Sequence, residues 1–225
     1  MIPIRDTIPS RTVAWVTRSL ILANIAAFVW ELKRGPALEA FIYRFGMVPA
    51  HWVLTSPNDL LDWPGLFLTL VTSQFLHGGL FHLGSNMLYL WIFGDNVEDR
   101  LGHSRFLSLY LGSGVLAAVT QLLMSPHSSL PMIGASGAIA GVLGAYLLLF
   151  PTAKIVTVIP MIFFFETVEL PAFLFLGVWF LLQWFQGVTT IGQVSDVGGV
   201  AFWAHIGGFV GGMIGLSVLR TRRRW

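Results

Sequence analysis

The sequence predicts an all-α membrane protein, a bundle of six transmembrane helices with a large external first loop. Three observations carry that reading. Of the 225 residues, 55% are hydrophobic and only 11% are charged. The mean hydropathy of +0.75 is too apolar for a soluble domain of this size. The apolar residues fall in several separate runs of helical length, whereas a β-barrel would show short alternating segments.

The six spans are expected near 13–30, 80–94, 106–124, 136–150, 171–186 and 200–219, within one membrane domain over residues 1–225. Ahead of the first stand Arg5, Arg11 and Arg18. No small-residue cleavage site follows its apolar stretch, so it reads as a retained span and not a signal peptide. The loop from Glu31 to Gly79 is long and rich in Trp, Phe, Pro and Leu, which predicts a packed, partly membrane-embedded substructure and not a plain linker. Trp15, Trp30, Trp184 and Trp203 lie near span ends, as in an aromatic belt, and Trp52 and Trp63 are expected at the same interface.

Pro131 and Gly134 delay the fourth span, and Pro151 closes it after Phe150. Between the fourth and fifth spans, Ile155–Phe165 is also apolar and is expected to be an interfacial segment broken at Pro160. Neither a sizeable soluble domain nor a seventh span is expected.

Lysine and arginine set the orientation, because their excess marks cytoplasmic loops. With six spans and both ends inside, Arg5, Arg11, Arg18, Arg100, Arg105, Lys154, Arg220, Arg222, Arg223 and Arg224 are internal, ten of the thirteen basic residues. Lys33, Arg34 and Arg44 fall in the long first loop, which bears less on orientation. Both termini are therefore expected to be cytoplasmic in the plasma (inner) membrane. The pI near 9.3 comes mainly from the tails and points to an anionic membrane face, not to nucleic acid.

Against this apolar background two polar residues need a reason, since ionisable groups in membrane segments are rare and usually functional. Ser136 lies in Gly134-Ala135-Ser136-Gly137, and His205 in Ala204-His205-Ile206-Gly207-Gly208. At 1.5 Å per residue, the short fourth span covers only about 22 Å of a ~30 Å core, which puts Ser136 roughly 8 Å below the outer boundary. His205, about five residues into the sixth span, comes to a similar depth.

A serine hydroxyl becomes a nucleophile when a neighbouring base takes its proton, and imidazole is the usual base. Neither span holds a carboxylate to orient the ring, and Asp196 sits in the preceding loop, so a dyad is expected and not a triad. Acyl transfer also needs donors aimed at the oxyanion. The start of the fourth helix offers unpaired backbone N–H groups at Ser136, and Gly134 and Gly137 permit close approach. His82 and Asn86, spaced i, i+4, share one face of the second helix and can point at the same place.

Plainer roles are also open to these residues. Serine in a membrane helix often bonds its own backbone, and Gly137/Gly141 and Gly208/Gly212 have the spacing of packing devices. A zinc site from His77, His82 and His205 is disfavoured, because there is no His-Glu-x-x-His pattern and no cysteine. His51, His103 and His127 read as solvated loop histidines.

Taken together, His77-Gly78-Gly79-Leu80-Phe81-His82-Leu83-Gly84-Ser85-Asn86-Met87, Phe93-Gly94 with Glu98, Gly134-Ala135-Ser136-Gly137 and Ala204-His205-Ile206-Gly207-Gly208 resemble the rhomboid intramembrane serine proteases from about Thr72 to Ser217. The resemblance implies a six-helix bundle around a water-accessible cavity, with the active site toward the external side and no cofactor. It implies Ser136 as nucleophile, His205 as base, and His82 and Asn86 with the Ser136 backbone as the oxyanion site. Glu98 matches a position that is structural in the family. The first loop lacks the Trp-Arg pair of many members, and Ala140 stands where some carry a tyrosine packed on the base.

The implied substrates are transmembrane segments of single-pass or polytopic proteins, entering laterally past the fifth span, whose bulky face includes Phe173, Phe175, Trp179 and Phe180. An inactive rhomboid-like binding or chaperone factor should lack Ser136 or His205, and a small transporter should carry more charge deep in its spans.

Overall fold

The computed structural model describes residues 1–56, 62–161, 165–189 and 201–220. Helix α1 (Trp15–Leu32) leads into the first loop, which is itself helical: α2 (Leu38–Phe45), α3 (Pro49–Leu54) and α4 (Trp63–Thr72). Trp52 of α3 meets Trp63 and Phe67 of α4 edge-on, with ring centroids 6.1 and 5.3 Å apart. The first loop is therefore held by an aromatic cluster of its own. It is also tied to the chain ahead of Ser136, because Met47 and Met132 exchange both backbone hydrogen bonds, at 3.1 and 2.8 Å.

Beyond the loop come α5 (Leu80–Leu101), α6 (His103–Met124), α7 (Ser136–Leu149), α8 (Ala172–Thr189) and α9 (Phe202–Leu219). By length and composition α1, α6, α8 and α9 can each cross a membrane, and the pair α4–α5, bent by 81°, counts as a fifth candidate. The protein is a multi-pass membrane protein of mainly helical fold. Side chains such as Trp15, Leu22, Val29, Leu181, Phe185 and Val218 stand exposed around the bundle, where lipid would solvate them.

Helix α9 packs chiefly against α6 and α7, and small residues make that possible. A Cβ at Gly208 would collide with the Gly137 carbonyl, and one at Gly212 with the Gly141 carbonyl. Glycine weakens an isolated helix by about 1 kcal/mol. Here it lets two backbones touch, which is how membrane helices gain packing without a hydrophobic force between them.

Three features differ from the sequence expectation. Helix α5 runs to Leu101 and does not stop near residue 94. Its polar last turns are paired with the N-terminal segment: Asn96 Nδ2 donates to Asp6 at 2.9 Å, Thr12 N–H donates to Asp99 at 2.9 Å, and Glu98 accepts from the backbone N–H groups of Val16 and Thr17 at 2.9 and 2.8 Å. Glu98, only 1% exposed, thus satisfies the otherwise orphaned first turn of α1. His103, expected to be a solvated loop residue without a partner, opens α6 and bonds Glu98 through Nδ1.

The apolar stretch after α7, expected as an interfacial segment broken at Pro160, opens as a β-strand that runs up to that proline. Strands β2 (Lys154–Pro160) and β3 (Phe165–Pro171) pair antiparallel, and β1 (Ile2–Asp6) pairs with the other edge of β2. The run Ile155-Val156-Thr157-Val158-Ile159 is wholly β-branched, which suits a pleated strand better than a helix. The expected sixth-span start at 200, Asp196 and Arg222, Arg223 and Arg224 lie outside the described residues.

Candidate active site

Ser136 is the first residue of α7, and Gly134 two positions earlier has φ 122°, a conformation that excludes other residues in practice. The Gly134 N–H donates to the Ser73 carbonyl at 2.9 Å. A Cβ at Gly134 would lie 2.7 Å from His82 Nε2, so the glycine also makes room for that ring. The result is a helix N-terminus delivered beside α5 with its leading N–H groups free of intrahelical partners.

Helix α9 brings His205 to the same level. Its Nε2 lies 2.8 Å from Ser136 Oγ, within ordinary hydrogen-bond reach. On the other side of the ring, Nδ1 meets Gln183 Oε1 of α8 at 2.7 Å. An amide oxygen only accepts, so Nδ1 carries the proton and the Nε2 lone pair faces the serine. The Trp179 ring lies along the imidazole, with centroids 5.9 Å apart and planes tilted by 35°. Ala140 is fully buried near Gly208 in the α7–α9 contact, so the aromatic neighbour of His205 comes from α8 and not from α7.

His82 and Asn86 sit one turn apart on α5 and both approach Gly134. The Gly78 N–H donates to His82 Nδ1 at 3.3 Å, which leaves the ring proton on Nε2, the atom that faces the serine side. Asn86 is only 6% exposed, and its Nδ2 has no hydrogen-bond partner. A buried amide donor without an acceptor is costly and calls for an explanation. His77, imagined with these residues as a ligand set, donates its backbone N–H to the Glu31 carboxylate at 3.2 Å, and its ring meets His82 edge-on at 5.1 Å.

These groups surround a cavity of about 510 Å³ lined by Gln74, Gly78, His82, Asn86, Ser136, Trp179 and His205 among others. The structure therefore brings together all of Ser136, His205, His82, Asn86 and Gly134. Gln183 and Trp179 escaped the sequence reading as partners of His205. A signal was present: Gln183 is a polar residue inside the apolar α8, one turn after Trp179.

Fold and site together define a polytopic membrane protein with a serine–histidine pair in a cavity among its helices. A family model described as the Rhomboid domain matches residues 64–222, and the chain belongs to the rhomboid family. It is 34% identical over 142 residues to Rhomboid protein 1, mitochondrial, of Saccharomyces cerevisiae, a match covering 61% of this chain and 37% of that one. To the rhomboid protease GluP of Bacillus subtilis it is 34% identical over 128 residues, 57% of this chain and 23% of that one. It is likewise 34% identical over 116 residues to the putative rhomboid protease YdcA of the same bacterium, 49% of this chain and 58% of that one. The chain thus spans between about a quarter and somewhat over half of the length of these relatives.

Proposed function

We propose that the protein is an intramembrane serine endopeptidase, a single rhomboid-type membrane domain that cleaves transmembrane segments of membrane proteins. The observation that carries this reading is the 2.8 Å contact between His205 Nε2 and Ser136 Oγ, facing a donor group with nothing to bind. Ser136 Oγ attacks the scissile carbonyl as its proton passes to His205 Nε2. The proton then goes to the leaving amine, and an acyl ester remains on Ser136. Water, deprotonated by the same imidazole, hydrolyses the ester and restores the serine.

The tetrahedral oxyanion forms beside Gly134. His82 Nε2–H, Asn86 Nδ2 and the Ser136 backbone N–H are its donors, and each contributes about 3 kcal/mol where its geometry is good. No metal or other cofactor enters the reaction.

A substrate helix has its carbonyls bonded internally, so it must unwind locally, which favours small or helix-breaking residues near the cut. Entry is lateral, past α8. The membrane is the plasma (inner) membrane on this reading, and the basic residues of the two tails support cytoplasmic termini, with Ser136 toward the external side.

Labelling of the detergent-purified protein with a fluorophosphonate tests the reading. Wild type should be labelled and Ser136→Ala should not; an unlabelled wild type, or a labelled Ser136→Ala, rejects it.

A further inference from the structure

Histidine bases are usually oriented by a carboxylate, yet His205 is bonded at Nδ1 by a neutral amide. Gln183 Oε1 stands 2.7 Å away, and Trp179, one turn earlier on α8, covers the ring. Both lie on the inner face of a helix whose other face leaves Leu181, Leu182 and Phe185 exposed. Placing a polar side chain on such a helix is costly unless it is paired. Here the pairing is with the reacting base.

The chemistry of that bond is specific. A neutral imidazole exists in two tautomers, and only the one protonated at Nδ1 presents a lone pair to Ser136. An accepting group at Nδ1 selects that form. A carboxylate there would also stabilise the imidazolium, but at the cost of desolvating a full charge within the bilayer. A glutamine orients the ring without that charge.

We propose that Gln183 is the positioning residue for His205: it fixes the Nδ1–H tautomer, and by doing so it makes α8 part of the catalytic apparatus. The inference rests on the protease reading above. It also gives α8 a second duty, because any displacement of α8 away from α9 separates Gln183 Oε1 from Nδ1. A helix that stands aside to admit substrate must return before His205 can accept a proton.

The test uses the full chain and three variants, Gln183→Leu, Gln183→Met and Gln183→Glu, followed by cleavage kinetics on a membrane-anchored reporter and by fluorophosphonate labelling. Gln183→Leu and Gln183→Met should each lower kcat about tenfold or more with KM within about twofold. Two apolar replacements of different shape guard against one that merely fails to fold. Gln183→Glu should recover most of kcat and move the acid limb of the pH profile upward by about one unit, since a carboxylate beside an imidazole favours its charged form.

Wild-type kcat in both apolar variants would overturn the inference. So would equal loss in all three variants with an unmoved acid limb, because packing alone would explain that. Nitrogen NMR of histidine-labelled protein, with His205→Asn to assign the signal, reads the tautomer without any turnover: Nδ1–H in wild type and a mixture in Gln183→Leu are expected. An unchanged tautomer rejects the role of Gln183, whereas an unlabelled wild type rejects the protease reading.

Discussion

Asn86 Nδ2 is buried, points toward Gly134 and has no acceptor. If its acceptor is the oxyanion, the bond exists only when the carbonyl has been attacked, and its loss should fall on kcat and not on KM. Asn86→Ala is therefore expected to lower kcat by about 10²-fold with little change in KM, measured by initial rates on a membrane-anchored reporter. A fall confined to KM would place Asn86 in ground-state binding instead. Ser136, His205, His82 and Asn86 were legible in the sequence because each is a polar group in an apolar run, and the cost of such groups is a local property. The support of His205 was not. Gln183 and Trp179 reach the imidazole only through the way α8 lies against α9, and single-chain periodicity does not report which helices touch.

Among the helices, the α7–α9 contact sets the distance between nucleophile and base. Gly208 lies less than one turn after His205 and rests on the Gly137 carbonyl, next to Ser136. Gly208→Val would push two backbones apart at the point where the 2.8 Å contact is made. It should lower stability by about 1–3 kcal/mol, typical of overpacking, and reduce fluorophosphonate labelling by more than that loss explains. Thermal inactivation in detergent beside labelling at low temperature separates the two effects.

The small-residue pattern of α7 and α9 was readable as a packing device, but the extent of α5 was not. Asp95, Asn96, Glu98 and Asp99 look like the start of a loop. They are helical because the N-terminal segment supplies donors: Ser10 to Asp95, Thr12 to Asp99 and Thr17 to Glu98. A polar helix end and a loop have the same composition; only the partner distinguishes them.

Across the whole molecule, the three-stranded sheet links the N-terminal segment to the root of α8, since β3 runs directly into it. Asp6, at the end of β1, accepts from Tyr146 and Asn96. Burial, with the Asp95 carboxylate nearby, raises its pKa from 3.8 to about 6. The folded chain then holds a proton that the unfolded chain releases between those values. Stability should consequently decline as pH rises from about 4 to 6, level off above, and lose this slope in Asp6→Asn. Thermal inactivation midpoints across that range check the sign. The helical class of the fold was legible from hydropathy, which integrates over many residues. The sheet was hidden because β1 and β2 are joined by pairing between Ile2 and Val158, far apart in the chain.

That separation has a consequence for biogenesis. Strand β1 leaves the ribosome before β2, its partner, which follows about 150 residues later. At ordinary translation speeds the interval is roughly 8–30 s, during which the helices between the two strands are made and those that cross the membrane enter it. Until then β1 is an unpaired strand, and Pro3, Arg5 and Asp6 are residues of the kind that discourage pairing with other chains. Closure of the sheet comes late in assembly, and it can occur only in a chain whose earlier helices have brought both strands to the same side of the membrane.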